Sequence, residues 1–155
     1  MMSAKSGTFL VVSADDESAV LSDVADGQVH TLSDNPGLAV DDVIEATIGP
    51  VPPMEVVWSV ESIEETRHLT VERSDEPPTK SSRDLAATME PGDLQSRDRA
   101  GTGTIHVIAV PTERTDDAVA DVLDDETTRR MAARLGVHRV EVRSSPGVVT
   151  VRYLP

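Results

Sequence analysis

Arginine is the residue type in this chain that is best suited to a binding site, because six arginines fall within 24 residues of the C-terminal half. The planar guanidinium binds phosphate and carboxylate groups through parallel hydrogen bonds. One interpretation is intramolecular pairing, and the other is a surface for RNA, DNA or an acidic partner. The six are Arg129, Arg130, Arg134, Arg139, Arg143 and Arg152, and the first five are the candidate partner or nucleic-acid contacts. The carboxylates available for pairing are Asp121, Asp124, Asp125, Glu126 and Glu141.

The spacing of these arginines groups them into pairs. Arg130 and Arg134 are four residues apart and share one face if the segment is helical. Arg139 and Arg143 have the same parity and share one side of a strand. Base stacking has little support, because Phe9, Trp58 and Tyr153 are the only aromatic residues. This scarcity argues against binding of single-stranded nucleic acid.

Other chemistries have no recognisable motif. The absence of cysteine excludes disulfides, thiolate nucleophiles and cysteine-bearing zinc sites. His30, His68, His106 and His138 lie far apart and lack the short spacing of metal-binding histidines. There is no G-x-S-x-G nucleophile elbow and no phosphate-binding P-loop. We therefore predict no catalytic residue, no metal site and no cofactor, and we expect a protein that is not an enzyme.

The charge balance indicates an environment of concentrated salt. The chain carries 28 acidic residues, only 14 basic ones and a formal net charge of −14, and just two of the basic residues are lysine. Such a surface repels itself in dilute buffer, but the Debye length falls to about 3 Å at 1 M salt and the repulsion is then largely screened. No apolar run reaches the ~18 residues of a membrane span. We expect a cytoplasmic protein without a membrane partner.

The charge also divides the chain into two halves. Residues 1–76 carry 16 acidic and 3 basic residues, whereas residues 77–155 carry 12 acidic and 11 basic ones. The change falls at Pro77-Pro78 and the small polar residues after it, a composition typical of linkers and sharp turns. We predict an acidic domain over 1–76 and a second domain over 77–155.

The first half predicts strands and the second half a mixture. Valine and other β-branched residues recur between turns such as Asp26-Gly27 and Asn35-Pro36-Gly37. The expected strands are 7–13, 18–24, 28–33, 43–48, 55–64 and 67–72, which suggests a small antiparallel barrel. In the second half the patterns predict a helix over 82–89 capped by Ser81 or Ser82, a strand over 104–110, one or two helices over 115–135, and a hairpin of 137–143 with 148–153 around Ser145-Pro146-Gly147. The fold class is therefore α+β, with an N-terminal barrel and a C-terminal mixed unit that ends in a β-hairpin.

Two resemblances accompany these patterns. Segments 7–11, 15–21, 121–126 and 146–155 resemble an uncharacterised haloarchaeal family of unknown function, which implies a haloarchaeal source and no particular activity. Residues 7–65 are similar in strand order and turn placement to small OB-like barrels of the TRAM type. The segment 39–48 is similar to the approach to the fourth strand of such a barrel, with Asp41 where glycine is usual. Barrels of this kind commonly bind nucleic acid, which this acidic half is poorly composed to do.

Three functions follow from these patterns. The first is a non-enzymatic interaction protein whose partner is a protein or an RNA–protein assembly. The second is direct nucleic-acid binding through the C-terminal arginines. The third is an enzyme that acts on a small molecule at a site between the two halves.

Overall fold

The computed structural model describes residues 3–54, 56–98 and 103–154, with the side chains of Arg97 and Asp98 left out. The described part is α+β, with two five-stranded sheets and three α-helices. It forms two compact units: one comprises residues 1–69 and 129–136, and the other comprises 70–128 and 137–155. The division at Leu69 lies a few residues before the Pro77-Pro78 change in charge.

The first unit contains an antiparallel sheet with the strand order β3-β2-β1-β4-β5. Its strands are β1 (Lys5–Ala14), β2 (Ala19–Asp23), β3 (Val29–Thr31), β4 (Asp42–Pro50) and β5 (Trp58–His68). These match the five predicted strands in order. Glu55, where the fifth was expected to begin, lies outside the described residues.

One face of this sheet holds the apolar core. Phe9 and Val11 on β1 pair in register with residues of β4 and β2, and their side chains pack with Leu21, Ile44 and Trp58. Burying one such side chain stabilises the fold by about 1.5–3 kcal/mol. The short apolar runs rich in β-branched residues on these strands are the signal that made the strands predictable.

The prediction of a closed barrel is wrong. The described sheet has two edges, β3 and β5, and a single isolated parallel bridge between Leu32 and Trp58 links them. The Ser33 N–H donates to the Trp58 carbonyl at 2.8 Å beside that bridge. Closure fails because β3 is only three residues long and cannot extend the ladder along the eleven residues of β5.

The second unit contains a sheet with the strand order β6-β9-β10-β8-β7. Its strands are β6 (Thr70–Arg73), β7 (Leu94–Asp98), β8 (Thr104–Ala109), β9 (Arg139–Ser145) and β10 (Val148–Leu154). The hairpin β9–β10 confirms the predicted C-terminal hairpin, and Gly147 in its turn has a positive φ of 84°. The sixth predicted strand exists as β6, but it belongs to this sheet, where it runs parallel to β9.

Three α-helices accompany the sheets: α1 (Lys80–Ala87), α2 (Thr115–Asp124) and α3 (Glu126–Leu135). The cap of α1 is Thr79, whose hydroxyl accepts the Ser82 N–H, so the predicted cap at Ser81 or Ser82 is wrong. Ala86 of α1 packs on Val107 of the second sheet, and Val119 of α2 packs on Val142. Residues 129–136, which hold most of α3, belong to the first unit.

Two glutamates face each other across strands β4 and β5. Glu45 and Glu65 are paired in register, and like charges directly opposite each other destabilise a sheet. We therefore expect Glu65→Lys to raise the free energy of unfolding by about 0.5 kcal/mol in 0.1 M KCl, through an attractive cross-strand pair. Urea unfolding at 0.1 M and 2 M KCl measures this gain. It should shrink at 2 M, and a gain equal at both concentrations would show that charge is not its cause.

Candidate functional site

A network of ion pairs around Glu141 occupies one face of the second sheet. Glu141 on β9 lies opposite Arg152 on β10 and beside Glu72 on β6, and its own strand neighbours at i−2 and i+2 are Arg139 and Arg143. Alternation along β9 puts these three side chains on the same face. Register thus gathers three arginines around one carboxylate.

Distances show that this carboxylate is fully engaged. Glu141 is reached by the Nη2 of Arg139 at 2.8 Å and the Nη1 of Arg152 at 3.2 Å, and the Nε of Arg143 donates to it as well. The outer arginines have a second partner each, since Arg139 binds Glu72 at 2.6 Å and Arg143 binds Glu76 at 2.8 Å. The guanidinium forks that a phosphate would need are therefore already bound to carboxylates.

Burial makes this network different from a surface ion pair. The side chain of Glu141 is 7% exposed and that of Arg143 is 15% exposed. Burial by itself would raise the pKa of Glu141, but the hydrogen bond from Arg143 and the charges of the three arginines outweigh it and hold the pKa below its usual value. Glu141 therefore stays ionised at the centre of the cluster.

The three helical arginines have different surroundings. Arg129 pairs with Asp41 through its Nε at 2.9 Å, and Asp41 has the positive φ of 71° that glycine usually adopts. Arg130 lies against Gly27, where any Cβ would collide with its guanidinium. Arg134 is exposed. Of the five predicted contact residues, the structure thus brings Arg139 and Arg143 together and leaves Arg134 on the surface.

A second polar cluster lies in the first unit and was not found from the sequence. Lys5 on β1 contacts Asp23 at 2.8 Å and Asp26 at 3.2 Å, and its Nζ is 3.2 Å from the Nε2 of His30. The His30 ring is buried and meets Trp58 edge to face at a centroid distance of 4.6 Å. No sequence signal predicts this cluster, because its members lie on three different strands and on the turn between β2 and β3.

The geometry fixes the protonation of His30. A lysine ammonium only donates, so in this contact the Nε2 of His30 accepts a hydrogen bond from Lys5 and the imidazole is neutral. Burial lowers the pKa of His30, and the positive charge of Lys5 lowers it further. For Lys5, burial acts to lower the pKa, but the hydrogen bonds and charges of Asp23 and Asp26 prevail and raise it. Lys5 is therefore a structural cation and a poor nucleophile.

This cluster predicts a loss of stability in mild acid. His30 has a lower pKa when folded than when unfolded, so the unfolded chain binds the proton first as pH falls through about 6.5. We expect the unfolding free energy of the wild-type protein to decline from pH 7 to pH 5. His30→Gln should flatten that decline, and His138→Gln is the matched control for loss of a histidine at an exposed position. A pH profile of His30→Gln identical to that of the wild type would contradict the assignment of His30.

The third feature is the loop that joins β4 and β5, together with the outer edge of β5. Met54 and Val56 in that loop are 75% and 70% exposed, and a hydrogen bond from the Val51 N–H to the Val57 carbonyl closes its base. Residues 61–66 of β5 are all exposed, and β5 is the last strand of its sheet. Within the described part of the chain, no backbone hydrogen bond is made on the outer side of residues 61–66. This stretch offers apolar side chains and unused backbone donors and acceptors.

The described residues contain neither a cluster of metal-binding side chains nor a membrane-spanning helix. No group of three or more histidines, aspartates or glutamates stands close enough there to hold a metal ion. The chain has two runs of three consecutive acidic residues, 15–17 and 124–126, which form a turn and a helix cap: Asp15 accepts the N–H groups of Glu17 and Ser18, and Asp125 accepts the N–H of Thr127. Among the same residues, no helix has the length and apolar character needed to cross a membrane.

Comparison with known proteins identifies the family. The model of a family of unknown function (DUF5812) matches residues 5–144, a range that includes Glu141, Arg139 and Arg143 and ends before Arg152. The chain belongs to this family. Neither a curated protein nor a solved structure matches the chain. Membership in DUF5812 assigns no activity, so any function must be argued from the residues themselves.

Proposed function

We propose that this DUF5812 chain is a non-enzymatic interaction protein of a salt-rich haloarchaeal cytoplasm, and that its partner is a protein, alone or within an RNA–protein assembly. The observation that carries the proposal is the engagement of the arginines. Arg139, Arg143 and Arg152 are bound to Glu141, and the first two also bind further carboxylates. Phosphate binding would have to displace these pairs, which makes nucleic acid the weaker candidate.

The charge of the chain supports the proposed environment. Glutamates that face each other on β4 and β5 repel in dilute buffer, and so does a surface with a net charge of −14. At molar salt, attraction and repulsion beyond about 3 Å are screened, so recognition there depends on hydrogen bonds, apolar contact and ion pairs in direct contact. Binding to the phosphates of nucleic acid weakens steeply under the same conditions.

The strand order of the first unit supports an OB-like fold. The order β3-β2-β1-β4-β5, with a parallel bridge joining its two edges, is compatible with an OB-like barrel that has remained partly open. Folds of this type support many unrelated functions, so the likeness contributes architecture to the proposal and no activity.

The test is an affinity capture from native-host lysate at molar KCl, with and without nuclease, against resin that carries no protein. We expect at least one protein to be retained in both lysates. If nuclease releases every associated component, nucleic acid is the true ligand and the proposal fails.

A further inference from the structure

We infer that the outer edge of β5 binds an extended, arginine- or lysine-bearing segment of a protein partner by strand addition. This inference rests on the proposed function, since it names the surface and the chemistry through which that partner is held. The first support is the backbone. Residues 61–66 are exposed and lie on the sheet edge, and within the described chain their outer N–H and C=O groups are not used. Six residues of strand span about 20 Å, enough for a short peptide to pair.

The side chains of β5 define the charge of that segment. Glu61, Glu64 and Glu65 fall within the exposed stretch. Two of them occupy irregular positions, because the register with β4 shifts between its pairings at Glu65 and Ile63 and again between those at Ser62 and Val60. A β-bulge re-aims a side chain, so Glu61 and Glu64 depart from the simple alternation of the strand. The Glu61 carboxylate lies over Gly49 of β4, so a partner that pairs on the outer side meets chiefly Glu64 and Glu65. Cations in direct contact with these carboxylates form pairs that molar salt screens least.

The same carboxylates argue against a second copy of this chain as the occupant. Antiparallel pairing of β5 with itself would bring the glutamates of one copy next to those of the other, and like charges opposite each other destabilise a sheet. Charged residues and bulges on an edge strand are the devices by which proteins block pairing of identical edges. The edge of β5 therefore disfavours pairing with β5 of a second copy and favours pairing with a positively charged strand.

The apolar loop beside the edge gives the partner a second contact. Met54 and Val56 are exposed a few residues before β5 begins, and they have the largest exposed fractions among the exposed large apolar side chains of the described residues. Methionine adapts its shape to a partner, and apolar contact survives in concentrated salt. The segment we infer is therefore extended, cationic where it passes Glu64 and Glu65, and apolar where it reaches this loop.

The test measures binding of a labelled ten-residue peptide of alternating valine and arginine to the full chain at 2 M KCl, by fluorescence anisotropy. We expect saturable binding to the wild-type protein. A peptide with glutamate in place of arginine should bind at least tenfold more weakly. Strand addition uses the backbone N–H groups on one edge of the peptide. Methylation of the nitrogens on that edge, which belong to every second residue, should therefore also weaken binding of the valine–arginine peptide at least tenfold.

Two variants with the same change in charge separate this edge from general attraction to an acidic protein. Glu64→Lys with Glu65→Lys should weaken binding of the arginine peptide at least tenfold. Asp16→Lys with Glu17→Lys, on the exposed turn after β1, should leave it within twofold. Equal losses in the two variants, indifference to N-methylation, or absence of binding would each overturn the inference. Dimerisation of the wild-type protein through β5 in light scattering would also overturn it.

The failure of this inference can be told apart from failure of the proposed function. If the double variant at Glu64 and Glu65 captures the same nuclease-resistant protein from lysate as the wild type, the function stands and the β5 edge is the wrong surface. If the peptide binds as expected but lysate yields only nuclease-sensitive material, the edge is competent and the assignment of a protein partner fails.

Discussion

Replacement of Glu141 by glutamine should lower the free energy of unfolding by about 3 kcal/mol, since removal of one partner of a buried ion pair leaves uncompensated charge behind. Three arginines contact this carboxylate, and two of them, Arg143 and Arg152, are about 15% exposed or less. The isosteric amide keeps the shape of the side chain, removes its charge and replaces one of the two acceptor oxygens with an NH2 group, which cannot accept from an arginine. Chemical unfolding followed by circular dichroism measures the difference.

The matched control for this change is Glu76→Gln. Glu76 also binds Arg143, at 2.8 Å, but its side chain is 70% exposed. Exposed pairs contribute about 0–1 kcal/mol, so this variant should lose no more than that. The loss at Glu141 should persist at 2 M KCl because salt screens buried pairs poorly. Equal effects at the two positions would show that the network is an ordinary surface feature.

Lowering KCl should destabilise the wild-type protein by a comparable amount. The chain carries a net charge of −14, most of it on the first 76 residues, and screening of that charge is lost as the Debye length grows from about 3 Å at 1 M to about 10 Å at 0.1 M. We expect the melting temperature to fall by roughly 10 °C between 2 M and 0.1 M KCl, which corresponds to about 3 kcal/mol for a chain of this size.

Chloride-specific and osmotic effects are separated from screening by the choice of salt and by a charge variant. The series should give the same trend when potassium acetate replaces KCl. Glu64→Lys with Glu65→Lys, which reduces the net charge by four, should show a smaller fall than the wild type. A melting temperature that stays constant down to 0.1 M KCl would mean that the carboxylates do not serve to adapt the protein to salt.

Local features of the fold were predictable because their signals are local. Gly136 ends α3 with a positive φ of 75°, as a helix C-terminal glycine should. The turn at Ser145-Pro146-Gly147 fixes the hairpin β9–β10. The strands of the first sheet follow short runs that are rich in apolar and β-branched residues, and the turns between them follow glycine, asparagine and aspartate.

Features that depend on distant pairing were not predictable. Strand β6 follows β5 directly in sequence, yet it pairs in parallel with β9, about seventy residues later in the chain. No local sequence pattern predicts which strand β6 pairs with. Strand β7, Leu94–Asp98, was missed because its sequence lacks an apolar alternation. The capping error at α1 has a different origin: Thr79, Ser81 and Ser82 are all good caps, and only the structure shows that Thr79 is used.

The candidate sites also have a part that the sequence predicted and a part that depends on distant pairing. The sequence identified the arginines and named Glu141 among their partners, but its position at the centre of the network follows from the registers of β6, β9 and β10. Arg129 pairs with Asp41, which is 88 residues away and was not among the predicted partners. The exposed loop at Met54 and the β5 edge carry no motif, and their importance is visible only once the neighbouring strands are placed.

The salt dependence of partner binding tests the central claim most directly. Protein captured from lysate can be eluted from the immobilised chain in steps of KCl between 0.5 and 3 M. Recognition by backbone pairing, apolar contact and close ion pairs predicts that the retained amount changes little across this range. A logarithmic decline with salt concentration, with a slope that corresponds to several released counterions, would mean that the arginines hold a nucleic acid and would contradict the account.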